Sequence, residues 1–112
     1  MPQRSTLPGP VPFVSVEAAW FRAVRALQPG QAAAPWVGDV VKCMDTLYRS
    51  RRIELLHARI LRIWGLRGVA PNPARMRERS DWRIWREAME RLDAPLRAKG
   101  IVAGSAWQEA AD

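Results

Sequence analysis

Arginine is the residue type whose number and spacing most clearly indicate a chemistry in this sequence. Residues 49–67 carry six arginines against a single acid, Glu54. A guanidinium group is permanently charged and forms paired hydrogen bonds to phosphate oxygens or to the guanine edge. Neutralising several phosphates also releases counterions and makes binding salt-dependent. We therefore expect this segment to contact the phosphates of a nucleic acid through Arg51, Arg52, Arg59 and Arg62.

A second arginine cluster lies at residues 75–83, with the sequence RMRERSDWR. Farther along, Arg83–Glu87 and Arg86–Glu90 are spaced for i,i+4 pairing on a helix, which is typical of a solvated surface. The stronger electrostatic signal is therefore in 49–67. We expect the second cluster to approach the groove of duplex DNA through Arg75, Arg77, Arg79 and Arg83.

No combination of residues predicts catalysis or metal binding. His57 is the only histidine and Cys43 the only cysteine, so a structural zinc site is not expected. No serine or carboxylate motif points to His57 as a catalytic base, and the phosphate-loop and nucleophile-elbow motifs are absent. We expect a protein that is not an enzyme and has no cofactor or metal. In it His57 is a hydrogen-bonded core residue and Cys43 a small buried hydrophobe.

Six tryptophans are numerous for a chain of this length. Five of them lie on the apolar faces of predicted helices, which indicates core or interface anchors. Trp82, Trp85 and Met89 begin a seam of apolar residues at spacings of three and four, which predicts a helix–helix interface. Trp107 falls outside this pattern. Because bases stack on exposed tryptophan, binding of single-stranded DNA or RNA is a further hypothesis.

Composition and charge indicate one small basic domain. The chain has 112 residues and a net charge of +7, which favours nucleic acid, acidic proteins or anionic lipid as partners. All basic residues except Lys42 and Lys99 are arginine, so the codon bias of a GC-rich genome is an alternative origin of the arginine excess. The lack of a long apolar run and the single cysteine predict a cytoplasmic protein that does not enter the membrane.

The predicted elements are helices separated by proline and glycine. Four early prolines predict an extended or disordered arm over residues 1–14, followed by a helical domain over 15–112. Helices are expected from the Ser15 cap to Pro29, from Pro35 to about Ser50, over 51–64, and over 73–99 as one helix or two. Pro95 is expected to kink or restart the last helix. The apolar stripe of 51–64 is predicted to be Ile53, Leu56, Ile60, Ile63 and Trp64.

These observations predict an all-α domain of four to five helices, in an order compatible with a helix-turn-helix. The leading hypothesis is a small basic DNA-binding protein, of the kind that regulates transcription. The alternative is a helical protein-interaction module that does not bind nucleic acid. Such a module would form a homodimer through Trp82, Trp85 and Met89 or would act as an adaptor for an acidic protein.

Overall fold

The residues that the structure describes, 12–31 and 34–103 of this computed structural model, form four α-helices and a short 3-10 helix. The α-helices are α1 (Val16–Ala26), α2 (Pro35–Arg49), α3 (Leu55–Arg67) and α4 (Arg79–Ala98), and the 3-10 helix spans Met76–Glu78. The all-α prediction is confirmed. Most of the predicted arm, residues 1–11, and Trp107 lie outside the described residues. Within those residues, no helix combines the length and hydropathy that crossing a bilayer requires.

Local signals in the sequence start and end the first three helices. The Ser15 hydroxyl accepts a hydrogen bond from the Ala18 amide at 3.1 Å and caps α1, as predicted. Pro35 occupies the first turn of α2, where its missing amide leaves no helical hydrogen bond unmade. Gly68 has a φ of 74° and ends α3, because glycine has no Cβ to oppose left-handed backbone.

The predicted start of the third helix is wrong, and its predicted apolar stripe is right only for Ile53, Ile60 and Trp64, which are buried. Glu54 has extended backbone, so α3 begins at Leu55 rather than at residue 51. Leu56 and Ile63, predicted for the core, are 51% and 44% exposed. The physical reason is that α3 packs against both α1 and α4, so its buried residues follow two neighbouring helices rather than one straight apolar stripe. The buried residues of α3 are His57, Ile60, Leu61, Trp64 and Gly65.

The segment 73–99 contains one long α-helix rather than two. α4 is continuous from Arg79 to Ala98, so Ser80 lies inside it and caps no second helix. Pro95 does not restart the helix, because it lies in the last turn, where the Lys99 amide still reaches the Pro95 carbonyl at 3.1 Å. Asp93 does not cap a new turn and instead binds Arg97 at 2.8 Å.

The two ends of the described chain are joined through their main chains. The Phe13 amide donates to the Ile101 carbonyl at 2.9 Å, and the Ala103 amide donates to the Phe13 carbonyl at 2.8 Å. Val102, just after Gly100, thus forms a single parallel bridge with Phe13. The Phe13 ring also contacts Trp36, with ring centroids 4.9 Å apart. Phe13 therefore packs with the helical domain, although the sequence places it in the arm.

The central helix of the domain is α4, which contacts α1, α2 and α3, whereas α3 contacts α1 on one side and α4 on another. Trp64 Nε1 donates to Asp81 at 3.0 Å near the end of α3, and His57 bonds Glu87 at 2.9 Å near its start. Since residue numbers rise along α3 as they fall along α4, the two helices run antiparallel. All four helices contribute fully buried side chains to the core, among them Ala19, Val37, Val40, Leu61, Trp85, Leu92 and Leu96.

A very close helix contact lies where α1 crosses α3 at Gly65. A Cβ on Gly65 would lie 2.8 Å from Trp20 Nε1 and 2.9 Å from Val24 Cγ2. The buried Trp20 indole donates to the Leu61 carbonyl at 2.9 Å, one turn before Gly65. The missing side chain therefore lets the indole reach the backbone of α3.

We predict opposite effects of alanine at two helical glycines. Gly65→Ala should destabilise the domain by about 1–2 kcal/mol, because overpacking against Trp20 exceeds the gain in helix propensity. Gly38→Ala is the matched control, because a Cβ on Gly38 in α2 meets nothing within 4 Å. This variant should gain up to about 1 kcal/mol from helix propensity alone. Urea unfolding of both variants tests the contact, and equal stability changes would contradict it.

Candidate interaction surface

The eight arginines predicted to bind nucleic acid are all exposed. Arg75 is paired with Glu78 at 3.5 Å, and Arg79 Nε donates to the Pro73 carbonyl at 3.3 Å. Within residues 12–31 and 34–103, the other six form no ion pair with a carboxylate. Their charge is therefore available to a partner.

The structure does not bring the two arginine clusters together into one compact patch. Arg51 and Arg52 precede the start of α3, whereas residues 75–83 adjoin its far end, where Trp64 contacts Asp81. The length of α3, roughly 20 Å for a helix of this size, separates Arg51 and Arg52 from residues 75–83. Arg59 and Arg62 lie between them on the exposed side of α3.

The exposed side of α3 mixes large apolar side chains with arginines. Its aliphatic members are 44–53% exposed. Arg67 is held over the Trp64 ring, with the guanidinium carbon 4.5 Å from the ring centroid. We call this set the α3 surface, and it comprises Leu55, Leu56, Arg59, Arg62, Ile63, Leu66 and Arg67.

An apolar groove lies beside the α3 surface, between α1, α2 and α3. Its cavity volume is about 490 Å³, and the buried side chains Trp20 and Val24 form its innermost part. None of the described residues that line the groove is acidic. Its other lining residues are Leu27, Gln28, Val41, Met44, Ala58, Arg62 and Leu66.

A second depression of about 310 Å³ adjoins the groove and adds two more arginines. Arg22 and Arg25 of α1 line it, and it shares Val24, Gln28 and Leu66 with the groove. Sequence reasoning missed Arg22, Arg25 and the groove as parts of a site. The available signal was Val41, an apolar residue that directly follows another valine in α2, since adjacent positions of a helix face different directions.

In the predicted dimer seam of Trp82, Trp85 and Met89, Trp85 is buried in the core and Met89 packs against the core. Trp85 is 2% exposed, donates from Nε1 to Glu17 at 2.7 Å and stacks on Phe21 with ring centroids 5.4 Å apart. Trp82 and Met89 are half-buried, and the Arg86 guanidinium lies 5.5 Å from the Trp82 ring centroid. Because Trp85 is used inside the domain, its side chain is not accessible to a second copy.

His57 is a hydrogen-bonded core histidine in the structure. Its Nδ1 accepts a hydrogen bond from the Glu54 amide at 3.1 Å, and its Nε2 lies 2.9 Å from Glu87 Oε1. The hydrogen bond from His57, together with the nearby charge of Arg91, holds the pKa of Glu87 below its ordinary value of 4.5. The ring thus joins the start of α3 to α4.

Cys43 offers no reactive thiol at this surface. Its side chain is buried, and burial raises the pKa of the thiol above 9.0. Among the described residues, no three His, Cys, Asp or Glu side chains are grouped closely enough to hold a metal ion.

We predict that the contact between Glu87 and His57 stabilises the fold only while Glu87 is ionised. A carboxyl whose pKa is lowered by folding contributes stability above its unfolded pKa and loses it as pH falls through the folded pKa. Glu87→Gln should therefore lower the urea midpoint near pH 5.5, and the difference from the original chain should shrink toward pH 3. Glu90→Gln removes a carboxylate of α4 that pairs with Arg86 instead. An equal pH-dependent difference in that control would contradict the assignment to Glu87.

No protein-family model, curated protein sequence or solved structure matches this chain. Its function is therefore argued from its own surface.

Proposed function

We propose that this chain is a protein-interaction domain that binds an acidic segment of another protein through the α3 surface and the adjoining groove. The observation that carries the proposal is the mixture on α3, where Leu55, Leu56, Ile63 and Leu66 are exposed beside arginines that have no carboxylate partner in the described part of the chain. An acidic protein segment with apolar side chains satisfies both components of such a surface.

The exposed aliphatic side chains favour a protein partner over duplex DNA. Burial of apolar surface against a protein contributes roughly 25 cal/mol per Å². Protein–DNA interfaces are more polar and more positively charged than protein–protein interfaces, and phosphates leave aliphatic side chains without suitable partners. Four aliphatic residues on the exposed side of a helix would find few apolar partners on duplex DNA.

The charge of the α3 surface favours an acidic partner over a second copy of the chain. A two-fold symmetric dimer places the same patch on both sides of its interface. Arg59, Arg62 and Arg67 would then face their own equivalents, and like charges brought together at an interface oppose association. An acidic segment has no such conflict.

Duplex DNA binding, with a role in transcription regulation, is the second candidate. Arg77 and Arg83 support it, because both are exposed near the start of α4 and neither forms an ion pair within residues 12–31 and 34–103. The start of a helix also attracts phosphate through its free amides and its dipole. In this candidate Arg59 and Arg62 would add phosphate contacts along α3.

Fluorescence anisotropy with two labelled probes tests the proposal. The probes are a 16-residue peptide of leucine, alanine and glutamate and a 20-base-pair duplex. We expect the peptide to bind in a salt-dependent manner, because surface charges are screened by ions. The double variant R59E/R62E should weaken peptide binding at least about tenfold. R77E/R83E changes the net charge equally and should have little effect.

The other outcomes are equally decisive. A peptide that fails to bind at any salt concentration would refute the protein-interaction proposal. Salt-dependent binding of the duplex alone, weakened by R77E/R83E, would establish the second candidate in its place.

A further inference from the structure

We infer that the groove between α1, α2 and α3 binds one amphipathic helix that carries carboxylates along the edge of its apolar stripe. This inference rests on the proposed function and specifies where the acidic segment binds and in which conformation. The occupant is a helix of a partner protein, with apolar residues directed into the groove and acidic residues directed at its rim.

Several apolar side chains that line the groove remain exposed to solvent. Leu27 at the end of α1 is 55% exposed, Val41 on α2 is 43% exposed and Leu66 on α3 is 51% exposed. Met44, half-buried, and the innermost residues Trp20 and Val24 connect them. Three helices thus direct exposed apolar side chains at one concave region. Apolar anchors spaced at i, i+3 or i+4 and i+7 on a helix fit such a groove.

The backbone requirements of the partner favour a helix over an extended strand. The walls of the groove are helices, whose interior amides and carbonyls already bond within the helix. Across residues 12–31 and 34–103 the only sheet-like pairing is the bridge between Phe13 and Val102. An extended segment in the groove would therefore find no ladder to bond, and unpaired buried backbone groups cost free energy. A helix satisfies its own backbone.

The charges around the groove favour an acidic helix. Arg62 lies at the rim on α3, and Arg22 and Arg25 line the depression that shares Leu66 and Gln28 with the groove. No carboxylate belongs to the described lining of either region. A helix with glutamates beside its apolar stripe can place them near these three guanidinium groups, which form strong charge-assisted hydrogen bonds.

Matched pairs of variants distinguish the groove from the rest of the α3 surface. Leu66 lines the groove and Leu55 does not, although both lie on α3 with nearly equal exposure, 51% and 53%. Arg62, which lines the groove, and Arg59, which does not, form a second matched pair. The probes are a helix-forming 16-residue peptide with leucines at i, i+3, i+4 and i+7 flanked by glutamates, and a scrambled peptide of the same composition.

We expect the amphipathic peptide to bind the full chain more tightly than the scrambled peptide. Leu66→Glu should weaken its binding at least about tenfold, equivalent to about 1.4 kcal/mol, and Leu55→Glu by a smaller factor, because Leu55 lies on the α3 surface outside the groove. Arg62→Ala should likewise weaken binding more than Arg59→Ala. Circular dichroism confirms that each variant folds. In NMR spectra, the amide chemical shifts of Leu27, Val41 and Leu66 should change when the peptide binds.

Three outcomes would overturn the inference, each in a recognisable way. Equal binding of both peptides, or equal losses from Leu55→Glu and Leu66→Glu, would place the acidic segment on the outer α3 surface and leave the proposed function intact. Failure of both peptides to bind would refute the proposed function as well. Self-association seen by light scattering and abolished by Leu66→Glu would identify a second copy as the occupant.

Discussion

The hydrogen bond from the Trp20 indole to the Leu61 carbonyl is the contact on which the helix arrangement depends. It is buried and measures 2.9 Å, and an indole N–H left unpaired in such a place would cost about 1–3 kcal/mol. The bond fixes the position along α3 at which α1 crosses it. Only the absence of a side chain at Gly65 allows this bond to form. The same crossing turns Leu61 inward and leaves Leu66 at the surface, which creates the groove.

Two further tryptophans extend this principle to three of the four helices. Trp64 of α3 donates to Asp81 of α4, and Trp85 of α4 donates to Glu17 of α1. Together with Trp20, these indoles join α1 to α3, α3 to α4 and α4 back to α1. Each ring fills apolar space while its N–H selects one acceptor on another helix. These three tryptophans are therefore explained by internal packing, and nucleic-acid stacking is not needed to account for them.

Some arginines stabilise helix ends, others are available to a partner, and Arg25 and Arg67 can do both. Each α-helix has an arginine in its last turn, where the negative end of the helix dipole favours a cation, and these are Arg25, Arg49, Arg67 and Arg97. Arg49 and Arg97 also pair with acids one turn earlier. Arg59 and Arg62 lie in the middle of α3, away from any helix end, and make no ion pair in the described part of the chain. Their position among exposed aliphatic residues is the basis for proposing a protein partner.

Local chemistry in the sequence was sufficient to predict the helical class, the Ser15 cap, the start of α2 at Pro35 and a buried, hydrogen-bonded His57. These features depend on neighbours within a few residues or on simple periodicity. Tertiary structure decided which side of α3 is buried, because α3 contacts two helices and a stripe calculated for one apolar side misplaces Leu56 and Ile63. It also separated Arg51 and Arg52 from residues 75–83 by the length of α3, and it placed Trp85 in the core. The groove was also decided by the tertiary structure, since Leu27, Val41 and Leu66 meet only after three helices pack together.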